Sequence, residues 1–125
     1  MFISDSIEGI DILRNEIPDE LQFWHNFRNI SELHYRHIFD NKYCDEIGCI
    51  DLFLTDRQNK YTIHLYLYNV EGSFSFDISN GFYSGLTIDD LADSGYENNH
   101  RFRITSSEQD IDFEIYCEKI KAELV

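Results

Sequence analysis

The stretch CIDLFLTDRQNKYTIHLYLYNV, residues 49–70, decides the fold, because apolar residues recur at every second position on both sides of a polar break. Ile50, Leu52 and Leu54 share one parity before the break; Tyr61, Ile63, Leu65 and Leu67 share one after it. Successive side chains of an extended chain point to opposite faces, so each run predicts a strand with one apolar face. DRQNK (56–60) carries turn residues and is too short for a helical crossover, which predicts antiparallel neighbours. The opposite parity is not purely polar, since it holds Phe53, His64, Tyr66 and Tyr68. A sheet covered on both sides is therefore expected, by a second sheet on one face and by a helix or loops on the other.

The same period continues outward. GSFSFDIS (72–79) sets Phe74, Phe76 and Ile78 against Ser73, Ser75 and Asp77. RFRIT (101–105) turns Phe102 and Ile104 one way, and DIDFEIYC (110–117) turns Ile111, Phe113, Ile115 and Cys117 inward, leaving Asp112, Glu114, Tyr116 and the following Glu118 outward. VEG (70–72), SNG (79–81) and SSEQD (106–110) read as turns. Pro18, followed by Asp19, Glu20 and LQFWHNF, predicts a short helix with proline at its first position and acids in its first turn. LTIDDLADSG (86–95) reads as a short strand entering one helical turn, and EKIKAELV (118–125) is open between strand and helix. The fold class expected for residues 1–125 is a single mainly β domain, with α+β as the variant: an antiparallel sheet or two-layer β-sandwich with one short N-terminal helix.

A chain of 125 residues buries roughly two thirds of its unfolded surface, and 42% hydrophobic content with one proline argues for a packed core. The opening MFISDSIEGIDIL is interrupted by Asp5, Glu8 and Asp11 and lacks the basic and apolar regions of a signal peptide, so a cytoplasmic location is expected. No stretch approaches the roughly 18 apolar residues of a membrane span. Three cysteines without an export signal suit reduced thiols. Twenty-four acids against ten bases give a net charge of −14, which repels nucleic acid and anionic membranes and attracts a protein with a basic surface. The same charge also serves solubility.

HYRHIFDNKYCDEIGC (34–49) holds two histidines and two cysteines and raises the question of zinc. Two histidines three apart converge on a metal only from a helix, whereas Leu33, Tyr35, His37 and Phe39 alternate with His34, Arg36 and Ile38 as in a strand. Cys44 and Cys49 are spaced loosely for a zinc knuckle, so no metal is expected. Acids follow Cys44 and Cys117 and disfavour a thiolate nucleophile. Adjacent carboxylates such as Asp19-Glu20 and Asp45-Glu46 are too common here to mark an acid–base pair. The scattered glycines form no phosphate loop, and TIDDLADSGYE lacks calcium-loop spacing. Neither catalysis nor a cofactor is expected.

Two groups of acids stand out: Asp89, Asp90, Asp93 and Glu97, then Glu108, Asp110, Asp112, Glu114 and Glu118 with Tyr116 among them. A row of carboxylates on a rigid strand can fill a basic cleft, and it can equally shield a sheet edge from unwanted pairing. These ten residues are the candidate partner-binding set.

WHNFRNISELHY (24–35), YTIHLYLYNV (61–70), SGLTIDDL (84–91), FRI (102–104) and IDFEIYCEKI (111–120) resemble small acidic bacterial proteins grouped with the immunity proteins of polymorphic toxin systems. This chain has Trp24 and Asn26 where that pattern has phenylalanine and aspartate. The resemblance implies a cytoplasmic binding protein, not an enzyme, that occludes the basic active-site cleft of a cognate toxin such as a nuclease. The alternatives are a nucleic-acid mimic directed at a defence nuclease, and a small-ligand-binding or enzymatic domain using His25 or His64.

Overall fold

The rows of alternating apolar residues become eight strands, seen in a computed structural model that describes residues 6–27, 29–76, 86–91, 101–106 and 111–125, with the backbone alone at 25, 74–76, 86, 106 and 111–113. A helix, α1 (Ile10–Glu16), precedes β1 (Asn29–Asp40), β2 (Asp45–Thr55), β3 (Thr62–Tyr68), β4 (Glu71–Phe76), β5 (Leu86–Asp90), β6 (Phe102–Ser106), β7 (Ile111–Cys117) and β8 (Lys119–Leu124). They form two antiparallel four-stranded sheets, ordered β1-β2-β3-β8 and β4-β7-β6-β5, so the chain is mainly β as its pattern predicts.

The core lies between the sheets. Ile50, Leu52 and Leu54 of β2, Ile63, Leu65 and Leu67 of β3, and Ile120 and Ala122 of β8 face Ile88, Phe102, Ile104, Ile115 and Cys117 of the second sheet. DRQNK closes the β2–β3 hairpin, where the buried Asp56 accepts the amides of Lys60 and Tyr61 at 2.7 and 3.0 Å. The buried alternate residues drive this arrangement, since each large aliphatic side chain taken from water contributes roughly 1.5–3 kcal/mol before entropy is counted.

VEG does not make a hairpin. Strand β3 pairs with β2 and β8, whereas β4 pairs with β7. Asn69 adopts φ 58 and carries the chain from one sheet to the other, opposite Glu118, which does the same between β7 and β8. The two crossovers are joined by the Glu118 amide donating to the Tyr68 carbonyl at 3.0 Å. Thus β3–β4 and β7–β8 are the two bent strands of one ribbon running through both sheets, a common way to fold a sheet onto itself. Gly72, just beyond the bend, has φ 135 in close approach to the Glu114 carbonyl, where a Cβ would overlap it.

The helix also differs in place. Pro18 is followed by two isolated 3₁₀ turns, Asp19–Leu21 and Trp24–Asn26, while the α-helix lies before it. Ile10 and Leu13 bury one side of that helix and Ile17 caps it, giving a spacing of three and four. Gly9, at φ 84, lets the preceding residue Glu8 bond to Ile120 and Ala122 along the free side of β8. The helix therefore closes the core at the β8 side and leaves the outer face of the first sheet alone. Among the described residues no element covers that face, and its side chains cover one another: Phe53 stacks on His64 at 4.5 Å, and the Tyr66 hydroxyl donates to the Cys49 sulfur at 3.2 Å.

At the other edge, β1 and β2 outrun β3. Tyr68 faces Cys49, but the β1–β2 ladder continues to Asp40 opposite Asp45. The resulting arm is tied at its tip, where the Tyr68 hydroxyl donates to Asp40 and the Tyr43 hydroxyl to Glu118, and at its flank, where the Val70 amide donates to the Gly48 carbonyl at 2.9 Å.

Candidate protein-docking face

Cross-strand register assembles the acids. On the outward face of the second sheet, Glu71 stands beside Tyr116, Ser73 beside Glu114, and Ser75 beside Asp112. On the far side of β7, Arg103 faces Tyr116 and Thr105 faces Glu114, and Arg103 in turn faces Asp89. Asp89, Glu114 and Tyr116 of the expected set thus share one face of the sheet, and residue 112 holds the next register position of the same parity on β7. Glu71 and Arg103 join them; strand pairing rather than local sequence brings these two in. Arg103 donates to Asp89 at 3.1 Å, and bonds to Asp89 and Tyr116 raise its guanidinium pKa above the ordinary value. Among the described side chains of this face, Arg103 stands against Glu71, Asp89 and Glu114, which leaves their sum negative.

The remaining candidates divide. Asp93, Glu97, Glu108 and Asp110 lie outside the described residues. Asp90 follows Asp89 by one position and so turns to the other side, where it meets Arg101 at 3.4 Å at the rim. Glu118 does not face out: it is 6% exposed, accepts from Tyr43, and meets Lys42 at 3.4 Å. The reason is the crossover, since the strand ends at Cys117 and the reversal of sheet breaks the parity that the sequence pattern extends through Glu118.

Basic and aromatic groups collect on the first sheet instead. His64 has Nε2 2.7 Å from Asp51 and Nδ1 3.4 Å from Glu123, with Arg36 meeting the other Asp51 oxygen at 3.3 Å. Both ring nitrogens of His64 face carboxylates, so this pairing braces three strands and presents no ring nitrogen toward a substrate. The His64 bond and Lys121 lower the Glu123 pKa below its ordinary value. Burial raises the Tyr66 phenol to about 12, with the Cys49 sulfur adding to it.

His34 and His37 lie on opposite faces of β1, His34 edge-on to Phe53 and His37 accepting or donating at 2.6 Å to the Tyr35 hydroxyl. Among the described residues no three His, Cys, Asp or Glu side chains come together as metal ligands. Cys49 and Cys117 are buried and Cys44 is exposed; burial drives the Cys117 thiol pKa strongly upward, away from nucleophilic use. No helix of the described residues is long and apolar enough to cross a membrane.

No known family, curated protein or solved structure matches this chain. The site must therefore be read from its own geometry, and the geometry offers a flat acidic face flanked by a groove. That groove, about 390 Å³, lies between the arm and the second sheet and is lined by Tyr35, Ile50, Val70, Gly72, Ser73 and Ile115 among others.

Proposed function

We propose that this chain is an acidic cytoplasmic binding protein that acts as an immunity protein, docking on a cognate toxin and occluding a basic active-site cleft, most readily that of a nuclease. It works by binding and makes or breaks no bond. The single observation that supports this reading is the convergence of Asp89, Glu114 and Glu71 from three strands onto one face, with the Asp112 position next in register. Carboxylates fixed on a sheet lose little entropy on meeting cations, and their summed field speeds the encounter. Tyr116, set among them, supplies the aromatic contact that such interfaces use as an anchor.

The test is co-expression with the product of the adjacent gene. The wild-type chain restores growth and co-purifies with that product, and Asp112→Lys with Glu114→Lys abolishes both effects while the variant stays folded. Protection that survives the double charge reversal would reject this face as the docking surface.

A further inference from the structure

Strand β4 is the rim of the second sheet, and among the described strands its one partner is β7. An edge of this kind presents backbone donors and acceptors to any extended chain that lies alongside. Its two sides differ in chemistry. Outward lie Glu71 and then Glu114 and the Asp112 position; inward lies the groove walled by Ile50, Val70, Ile115 and Tyr35, with Glu71 and Ser73 at its border with the acidic side. Gly72 lines the groove, and its φ of 135 with the adjacent Glu114 carbonyl excludes any replacement there.

The opposite wall is the arm. Tyr35 is 58% and Phe39 65% exposed on the side of β1 that faces inward lower down, where Leu33 packs against the core. Three features thus adjoin: an edge with one partner among the described strands, a groove of about 390 Å³ that the Tyr35 ring helps to wall, and an acidic face, with Phe39 exposed farther along the arm.

We propose that β4 receives an extended segment of the partner as an added strand, and that this segment alternates cationic and apolar residues. The alternation follows from the pleat. Successive side chains of an added strand would fall in turn over the acidic outer face and into the apolar groove, so lysine or arginine suits one parity and a branched or aromatic residue the other. A second copy of this chain is disfavoured as occupant, because each carries a net charge of −14. This inference rests on the acidic-face reading and specifies how the partner docks there.

The probes are two short capped peptides of one composition, one with lysine and valine strictly alternating and one with the lysines and valines in separate blocks, plus an alternating glutamate and valine control. Each is titrated into the full chain with amide chemical shifts as readout. The alternating lysine peptide is expected to shift the amides of 70–76 together with those of Tyr35 and Ile50, and to bind about tenfold tighter than the block peptide. The glutamate peptide should leave all of them unmoved. Tyr35→Ala and Phe39→Ala, both at exposed positions, should weaken the alternating peptide several-fold without lowering Tm. Equal binding of the two lysine peptides, with shifts confined to Glu114 and Tyr116, overturns strand addition and leaves the acidic face standing. Silence at every amide also overturns strand addition, whereas docking of a folded toxin is judged separately by the growth and co-purification experiment.

Discussion

Glu118 sits where two sheets exchange strands, and its environment explains why a carboxylate is tolerated inside. One oxygen accepts from Tyr43 and meets Lys42, while the other is buried with no hydrogen-bond partner among the described residues. Tyr43→Phe removes a donor from an already under-satisfied carboxylate and should lower the urea midpoint. An unchanged midpoint would mean the contact holds nothing. The thiols give a second check at this scale. In the native protein a thiol reagent should modify Cys44 rapidly, with Cys49 and Cys117 reacting only on unfolding. Rapid loss of all three thiols would contradict the burial described. Residue by residue, the sequence exposes the parity of Asp112, Glu114 and Tyr116 but not of Glu118, because parity survives along a strand and ends where the chain changes sheet. The basic run HRFR (100–103) reads as a balance for local acids, but the placing of Glu71 beside Tyr116 and of Arg103 beside Asp89 comes from register alone.

At the scale of elements, the helix shows the same boundary between what is local and what is not. Ile10, Leu13 and Ile17 carry a helical spacing that is visible in the chain, yet Pro18 with Asp19 and Glu20 gives the stronger start signal and draws the expected helix past its true position. Leu13→Ala should destabilise the protein by about 2–5 kcal/mol, and Ile12→Ser, at an exposed position, by less than about 0.5 kcal/mol. Comparable losses from the two would place the helix on the wrong face. Strand bracing responds to acid. The Tyr68 hydroxyl lowers the Asp40 pKa, and His64 and Lys121 lower that of Glu123. Because folded values lie below the unfolded ones of 3.8 and 4.5, both contributions are complete above those values and vanish as pH falls through the folded ones. The urea midpoint should therefore drop between about pH 6 and about pH 3, and Tyr68→Phe should drop less over that range. An equal or larger acid loss in Tyr68→Phe would refute the linkage. The hairpin from DRQNK and the strand across His34 and His37 are legible because their pattern is local; the arm is not, since it exists only through the different lengths of β1, β2 and β3.

For the whole molecule, charge is the dominant fact, and the fold sorts it unevenly. Among the described residues the first sheet sets Arg36 on Asp51, Lys121 on Glu123 and Lys119 over the Tyr68 ring, while the second sheet sets Arg103 against Asp89. Self-repulsion at −14 should be relieved by salt, so Tm should rise by a few degrees from about 0.01 M to about 0.15 M salt. A fall would show that internal ion pairs outweigh repulsion. The two-layer β architecture is readable from composition and period two, but the uneven sorting of charge is a property of strand order. The claim on which the functional account stands is that the outer face of the second sheet meets a cationic surface. Calorimetric titration of the adjacent gene's product against the wild-type chain and against Glu114→Lys, at low and physiological salt, measures this directly. The account predicts binding that weakens with salt and falls about tenfold or more on charge reversal; an affinity indifferent to both would contradict it.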